Sequence, residues 1–225
     1  MFILEGTHNV KADYKNPAHI DAELTPLGID QCRTLSKTLA ETSMQVDCIV
    51  SSPMRRAIQT AHYSFQHVLD PTGTNDDYGD AMETRSTSIP FVACEEWRET
   101  VNYLCDQRLS KNQLANSYPH VDFDAIDHEH DPVWKYYEDK FGAHDDYTKI
   151  RESDDAIGLD ERARAAWRFV KDRPEQSIAV VSHSAFFMHM FTLLDVVKYE
   201  DEEVELLMQD GFLNCEMRSV VAQIL

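Results

Sequence analysis

The chain has 225 residues, 43% of them apolar, which suffices for a real core in one α/β domain, and 40 acidic against 21 basic residues give a formal charge of −19. A field of that sign repels polyanions, so nucleic-acid binding, which draws on clustered Lys and Arg, is not expected. No run approaches the roughly 18 apolar residues of a membrane span, the first residues lack a secretory signal pattern, and five cysteines without Cys-x-x-Cys spacing read as reduced thiols of a cytoplasmic protein.

Phe2-Ile3-Leu4 is a short apolar run suited to a buried strand, followed by turn-prone Glu5-Gly6 and a polar loop to Leu24. Thr25-Pro26 predicts a helix start, because Thr caps well and Pro is tolerated at the first helical position. Leu27, Cys32, Leu35 and Leu39 then recur at helical spacing, with an end near Thr42. The β-branched run Val46–Val50 stops at Ser51-Ser52-Pro53, and Arg55–Leu69 reads as the helix that follows it. Residues 70–88 carry turn chemistry, and Ile89–Cys94 reads as another strand.

Residues 100–157 form an acidic, aromatic-rich insertion without a clear period, expected to be a cap or lid with short helices. Leu159–Lys171 is amphipathic, with Ala163, Ala166, Trp167 and Val170 on one side. Ser177–Val181 is a continuous apolar strand of the kind buried on both faces of a parallel sheet, and Ala185–Leu194 is the helix after it. A further helix is expected over Glu200–Met208 and a last strand over Met217–Leu225. Strands alternating with helices predict a three-layer α/β/α fold with a mostly parallel central sheet, forming a single domain over 1–225.

In open α/β sheets, ligands bind beyond the carboxyl ends of the strands. Asn9, Arg56 and His183 fall there. His183 stands where an apolar strand gives way to a helix opened by Ser184, whose first N–H groups can hold an anion, and an imidazole there is placed to move a proton. Arg56 lies in the first turn of a helix, where the dipole disfavours a cation and a bound anion would supply the reason for it; a surface ion pair is the competing reading. A carboxylate within Glu95-Glu96-Trp97-Arg98-Glu99, beside an arginine-lined cleft, could act as general acid or base. In Asp127-His128-Glu129-His130-Asp131 the His-x-His spacing suits a strand rather than a helix, and the run reads as a solvated charged loop rather than a metal site.

Ser52-Pro-Met-Arg-Arg-Ala-Ile-Gln-Thr-Ala61 and Val180-Val-Ser-His-Ser184, taken with the opening Glu-Gly-Thr-His-Asn9, resemble the histidine phosphatase superfamily, in its phosphoglycerate-mutase-like branch. Cys105-Asp-Gln-Arg108 and Tyr118-Pro-His-Val-Asp-Phe123 resemble a fungal and plant subgroup of small phosphatases within it. The resemblance implies that Arg56, Asn9 and His183 contact a phosphoryl group, with Ser184 beside them. It also implies that Glu99, in an Arg-Glu pair, is the proton donor, and that no metal or cofactor is needed. Arg98 and Arg108 then come within reach of substrate, with ion pairs to acids of the insertion as the competing reading. Arg55, at the variable position of the motif, is expected to be solvent-exposed, and Asn214–Arg218 to be structural.

Members of that superfamily end their first strand with Arg-His-Gly, whose histidine is the phosphorylated nucleophile, and this chain lacks the tripeptide. Phe2-Ile3-Leu4 either replaces it or is the first strand with the Arg-His segment deleted after it; the apolar, β-prone character of the run favours deletion. His8 beside Asn9 reads as a rim residue. Three functions follow for a small anionic or phosphorylated partner. The first is a repurposed enzyme using Glu99 and His183 as acid and base. The second is a phosphomonoester hydrolase whose N-terminus is truncated or altered as read. The third is a non-catalytic phosphate-binding protein.

Overall fold

The computed structural model describes residues 16–42, 44–69, 89–143, 151–194 and 196–219. The expectations for Phe2–Leu4, His8 and Asn9 lie outside them, as does the turn-rich segment 70–88. Helix α1 (Pro26–Ala40) starts as its sequence predicts, with the Thr25 hydroxyl accepting from the Gly28 amide. Strand β1 (Cys48–Ser51) leads through Pro53 into α2 (Arg55–Ser64). The single helix expected to Leu69 is broken at Phe65 and resumes as the short α3 (Gln66–Leu69).

Strand β2 (Phe91–Ala93) enters the insertion, which holds α4 (Lys111–Ser117) and α5 (Pro132–Phe141). Both helices have the side-chain caps that make short helices viable. Ser110 and Gln113 form a reciprocal capping box, and Asp131 accepts from the Trp134 amide. The long α6 (Ala156–Lys171) is capped by Asp155 and precedes β3 (Ile178–Val181), α7 (Ser184–Met188) and α8 (Glu202–Gln209). The helix expected over Ala185–Leu194 is α7 followed by one wider π-type turn, His189–Leu193. Residues 217–219 are not a strand, so the start of the expected last strand is not formed; 220–225 lie outside the described residues.

The three strands are parallel in the order β2-β1-β3, with Ile49 opposite Phe91 and Ala179, and Ser51 opposite Ala93 and Val181. Side chains alternate across the sheet. Ile49, Phe91, Ala93, Ala179 and Val181 pack into one core with α1, α2 and the 114–126 segment, whereas Cys48, Val50, Ile178 and Val180 pack into a second with Trp97, α6 and α7. Apolar cores on both faces make this a three-layer α/β/α arrangement. One expectation needs correction. Strand β3 is half-buried along its length rather than fully covered, because among the described residues it is the edge of the sheet. No helix among the described residues is long and apolar enough to cross a membrane.

Candidate active site

The register of the sheet sets the site. Because Ser51 lies opposite Val181, and the Ser52 amide extends the ladder by donating to the Val181 carbonyl at 2.9 Å, the residues just past both strands emerge together at the carboxyl edge. There His183 Nε2 lies 2.8 Å from Ser52 Oγ. Ser52 Oγ also accepts from the Met54 amide, and which of Ser52 and His183 donates in their shared hydrogen bond follows the tautomer of the ring. His183 Nδ1 faces Glu99 Oε2 at 4.0 Å, and both side chains are buried.

Glu99 is held from its other oxygen. Oε1 accepts from the Thr100 amide at 2.9 Å and from the Phe186 amide, in the first turn of α7, at 3.0 Å. Part of the anion-binding capacity expected of this helix start is therefore taken by the protein's own carboxylate. Burial pushes the Glu99 carboxyl up to about 7, reinforced by the nearby Asp106 charge; Arg56 and the two amides oppose the shift without cancelling it. Glu99 is thus poised to change protonation near neutral pH.

Arg56, fully buried in the first turn of α2, donates from Nη1 to the Cys105 carbonyl at 2.9 Å and from Nη2 to Asp106 Oδ1 at 3.2 Å. The other oxygen of Asp106 accepts from the amides of Asn102 and Tyr103, which fixes the pair. Arg56 Nε, also buried, has no hydrogen-bond partner among the described residues. A guanidinium whose Nε–H is left unused near Glu99 can still hold an anion.

The structure places the remaining candidates apart from this cluster's hydrogen bonds. Arg108 is buried, pairs with Glu95 at 2.9 Å and donates to the carbonyls of Leu109, His128, Glu129 and His130. Arg98 is bound to both oxygens of Asp131 and to Glu95. Arg98 thus follows the ion-pair reading through Asp131, whereas Arg108 pairs with Glu95, which precedes the insertion, and binds the insertion through backbone carbonyls. Ser184 is exposed at the start of α7, and Asn9 lies outside the described residues. Arg55 is not solvent-exposed as expected: its Nη1 pairs with Glu23 and its Nε donates to the Asp21 carbonyl, because Asp21 packs under the start of α2 and accepts the Arg55 amide. In the 127–131 run, Asp127, His128 and His130 are exposed, but Asp131 is buried as the cap of α5 and the partner of Arg98.

Three contributors were missed in the sequence. Ser52 orients His183, Asp106 holds Arg56, and Arg162 fixes the segment before Glu99. Arg162 pairs with Glu152 at 2.7 Å, donates to the carbonyls of Glu96 and Arg98, and lies 4.1 Å over the Phe186 ring. Ser52 and Asp106 lie inside the motifs noted above, so the signal was present; Arg162 on α6 gave none.

The family model described as histidine phosphatase superfamily (branch 1) matches residues 8–77. A phosphoglycerate mutase-like protein of Arabidopsis thaliana is 32% identical over 237 residues, covering 96% of this chain and 80% of that protein. The chain belongs to the histidine phosphatase superfamily, in its phosphoglycerate-mutase-like branch. Two more relatives of this histidine phosphatase superfamily protein are phosphoglycerate mutase-like protein 1 of the same plant, 29% identical over 96% of the chain and 77% of that protein, and a probable phosphatase of Schizosaccharomyces pombe, 25% identical over 79% and 68%.

Proposed function

We propose that the pocket binds a phosphorylated or otherwise anionic small molecule at Arg56 and carries out acid–base chemistry on it with Glu99 and His183, without a phosphohistidine, a metal or a cofactor. The observation that carries this reading is the fully buried Arg56 whose Nε has no partner among the described residues, close enough to Glu99 to oppose its upward pKa shift. In this reading Arg56 holds the anionic oxygens. His183, oriented by Ser52, accepts a proton at Nε2, and Glu99 in its protonated form supplies one to the leaving group. The protein acts in the cytoplasm.

The test is a titration with inorganic phosphate and a phosphomonoester panel, run on the protein and on His183→Ala. Phosphate binding that is lost in Arg56→Ala, together with turnover that is lost in His183→Ala, supports the reading. Phosphate binding with no turnover of any ester would make the protein a non-catalytic phosphate binder. The fission-yeast relative, a probable phosphatase, favours a second reading, ordinary phosphomonoester hydrolysis, in which the Arg-His segment is absent from the sequence only as read.

A further inference from the structure

Five cysteines looked unrelated in the sequence, yet two of them meet in the fold. Cys32 Sγ on α1 lies 3.4 Å from Cys215 Sγ, 183 residues away, in the turn after α8. We propose that Cys32 and Cys215 form a reversible intramolecular disulfide when the protein meets hydrogen peroxide, fastening the C-terminal turn to α1.

The turn is built to hold its thiol in that place. Cys215 adopts φ 54°, a left-handed conformation uncommon for a residue other than glycine, asparagine or aspartate, and one of two such residues among those described. Its neighbours brace it: Arg218 pairs with Glu216 at 2.7 Å, donates to the carbonyls of Asp210 and Gly211, and lies 3.9 Å over the Phe212 ring. The Glu216 carboxylate also accepts the Leu213 amide. A disulfide bond is about 2 Å long, so the sulfurs need close by only about 1.4 Å to bond.

The chemistry suits the geometry. The Cys215 thiol hydrogen-bonds the Cys32 sulfur and brings Cys32 down to about 7 against the opposing effect of burial, with Ser64 and Thr60 adding smaller help. The thiolate is the nucleophile. Cys32 thiolate attacks one peroxide oxygen, giving its sulfenic acid and hydroxide; the Cys215 sulfur then attacks the sulfenic sulfur, its proton leaving with the expelled hydroxyl as water. Overall two thiols lose two electrons and two protons, and one peroxide becomes two waters. Cys215 is partly exposed and Cys32 is buried, so in this proposal the peroxide enters past Cys215. The other three cysteines lack this arrangement. Burial raises the thiols of Cys48, Cys94 and Cys105, so they serve as internal controls. Since α1 packs along α2, whose first turn carries Arg56, the bond joins the C-terminal turn to the layer that supports the pocket.

The experiment treats the whole chain with hydrogen peroxide, alkylates it after denaturation and maps the peptides. The expected result is one linked pair containing Cys32 and Cys215, reversed by dithiothreitol, with Cys48, Cys94 and Cys105 still alkylated. Cys215→Gly suits the left-handed backbone and removes both the resolving thiol and the hydrogen bond that lowers Cys32, so in that variant no linkage should form and Cys32 should be alkylated after treatment to the same extent as Cys48. Alkylation of Cys32 and Cys215 to the same extent as Cys48 after treatment overturns the proposal. So does a linkage from either to a different cysteine or to a second molecule.

Discussion

His183 and Glu99 face each other across 4.0 Å inside the protein, the imidazole fixed from one side by Ser52 and the carboxyl from the other by the Phe186 amide. Neither can turn away without leaving a buried polar group unpaired, which costs about 1–3 kcal/mol. A carboxyl group and an imidazole are therefore held in fixed positions near a buried guanidinium.

The raised Glu99 carboxyl predicts a pH dependence of stability. Its folded pKa of about 7 lies above the ordinary 4.5, so between those values the folded state binds more protons than the unfolded chain. Stability then falls as pH rises through that window. Urea midpoints measured from pH 4.5 to 7 should show this fall, and Glu99→Gln should flatten it; an unchanged slope in the variant would assign the effect elsewhere. Where Glu99 acts as the acid, kcat should decline above about pH 7, and the variant should lose that limb.

Asp131 tests how the insertion is anchored. It binds Arg98 with both oxygens, accepts the Arg108 amide and caps α5. Burial pushes its carboxyl up, but Arg98 and the two amides outweigh that and hold it below the usual 3.8. A depressed acid stabilises above its unfolded pKa, so this contribution is lost only as pH falls below about 3.8, apart from the Glu99 window. Asp131→Ala strands the buried Arg98 charge and should cost about 3–5 kcal/mol in chemical denaturation. A loss under about 1 kcal/mol would mean that Glu95 alone satisfies Arg98.

Ser52→Ala separates folding from function. It deletes two hydrogen bonds, the one with His183 Nε2 and the one from the Met54 amide, each worth about 1 kcal/mol, so the melting temperature should fall by only about 4–8 °C. The same loss of His183 orientation, if felt at the transition state, lowers kcat about five- to tenfold with KM nearly unchanged. Equal changes in kcat and KM would place Ser52 in substrate binding instead.

Thr25→Ala removes the cap that the sequence announces for α1 and should cost about 1 kcal/mol. Circular dichroism during urea unfolding checks it.

What was legible in the chain follows from the range of the interactions involved. Thr25-Pro26, the apolar runs at β1 and β3 and the amphipathic α6 are local patterns, and they placed these elements to within a few residues. The break at Phe65 and the π-type turn after Met188 were not visible, since no glycine or proline marks either and the apolar residues continue through both. At the site, Glu99 and His183 come together as motif reading suggested, although they stand 84 positions apart. The partners of the buried charges were not legible: Asp106 for Arg56 and Asp131 for Arg98 are single acids among forty, chosen by the path of the insertion. The same holds for Cys32 and Cys215, which only the folded turn brings together.

The central claim is turnover of a phosphorylated substrate without a phosphohistidine. Its most direct test is a rapid-quench experiment under alkaline conditions with a substrate carrying labelled phosphate, run on the protein and on His183→Ala. The account predicts labelled product with no acid-labile phosphohistidine on the protein, and a fall of about 10²–10⁴ in kcat/KM for the variant. Stoichiometric phosphohistidine formed at the rate of turnover would contradict it.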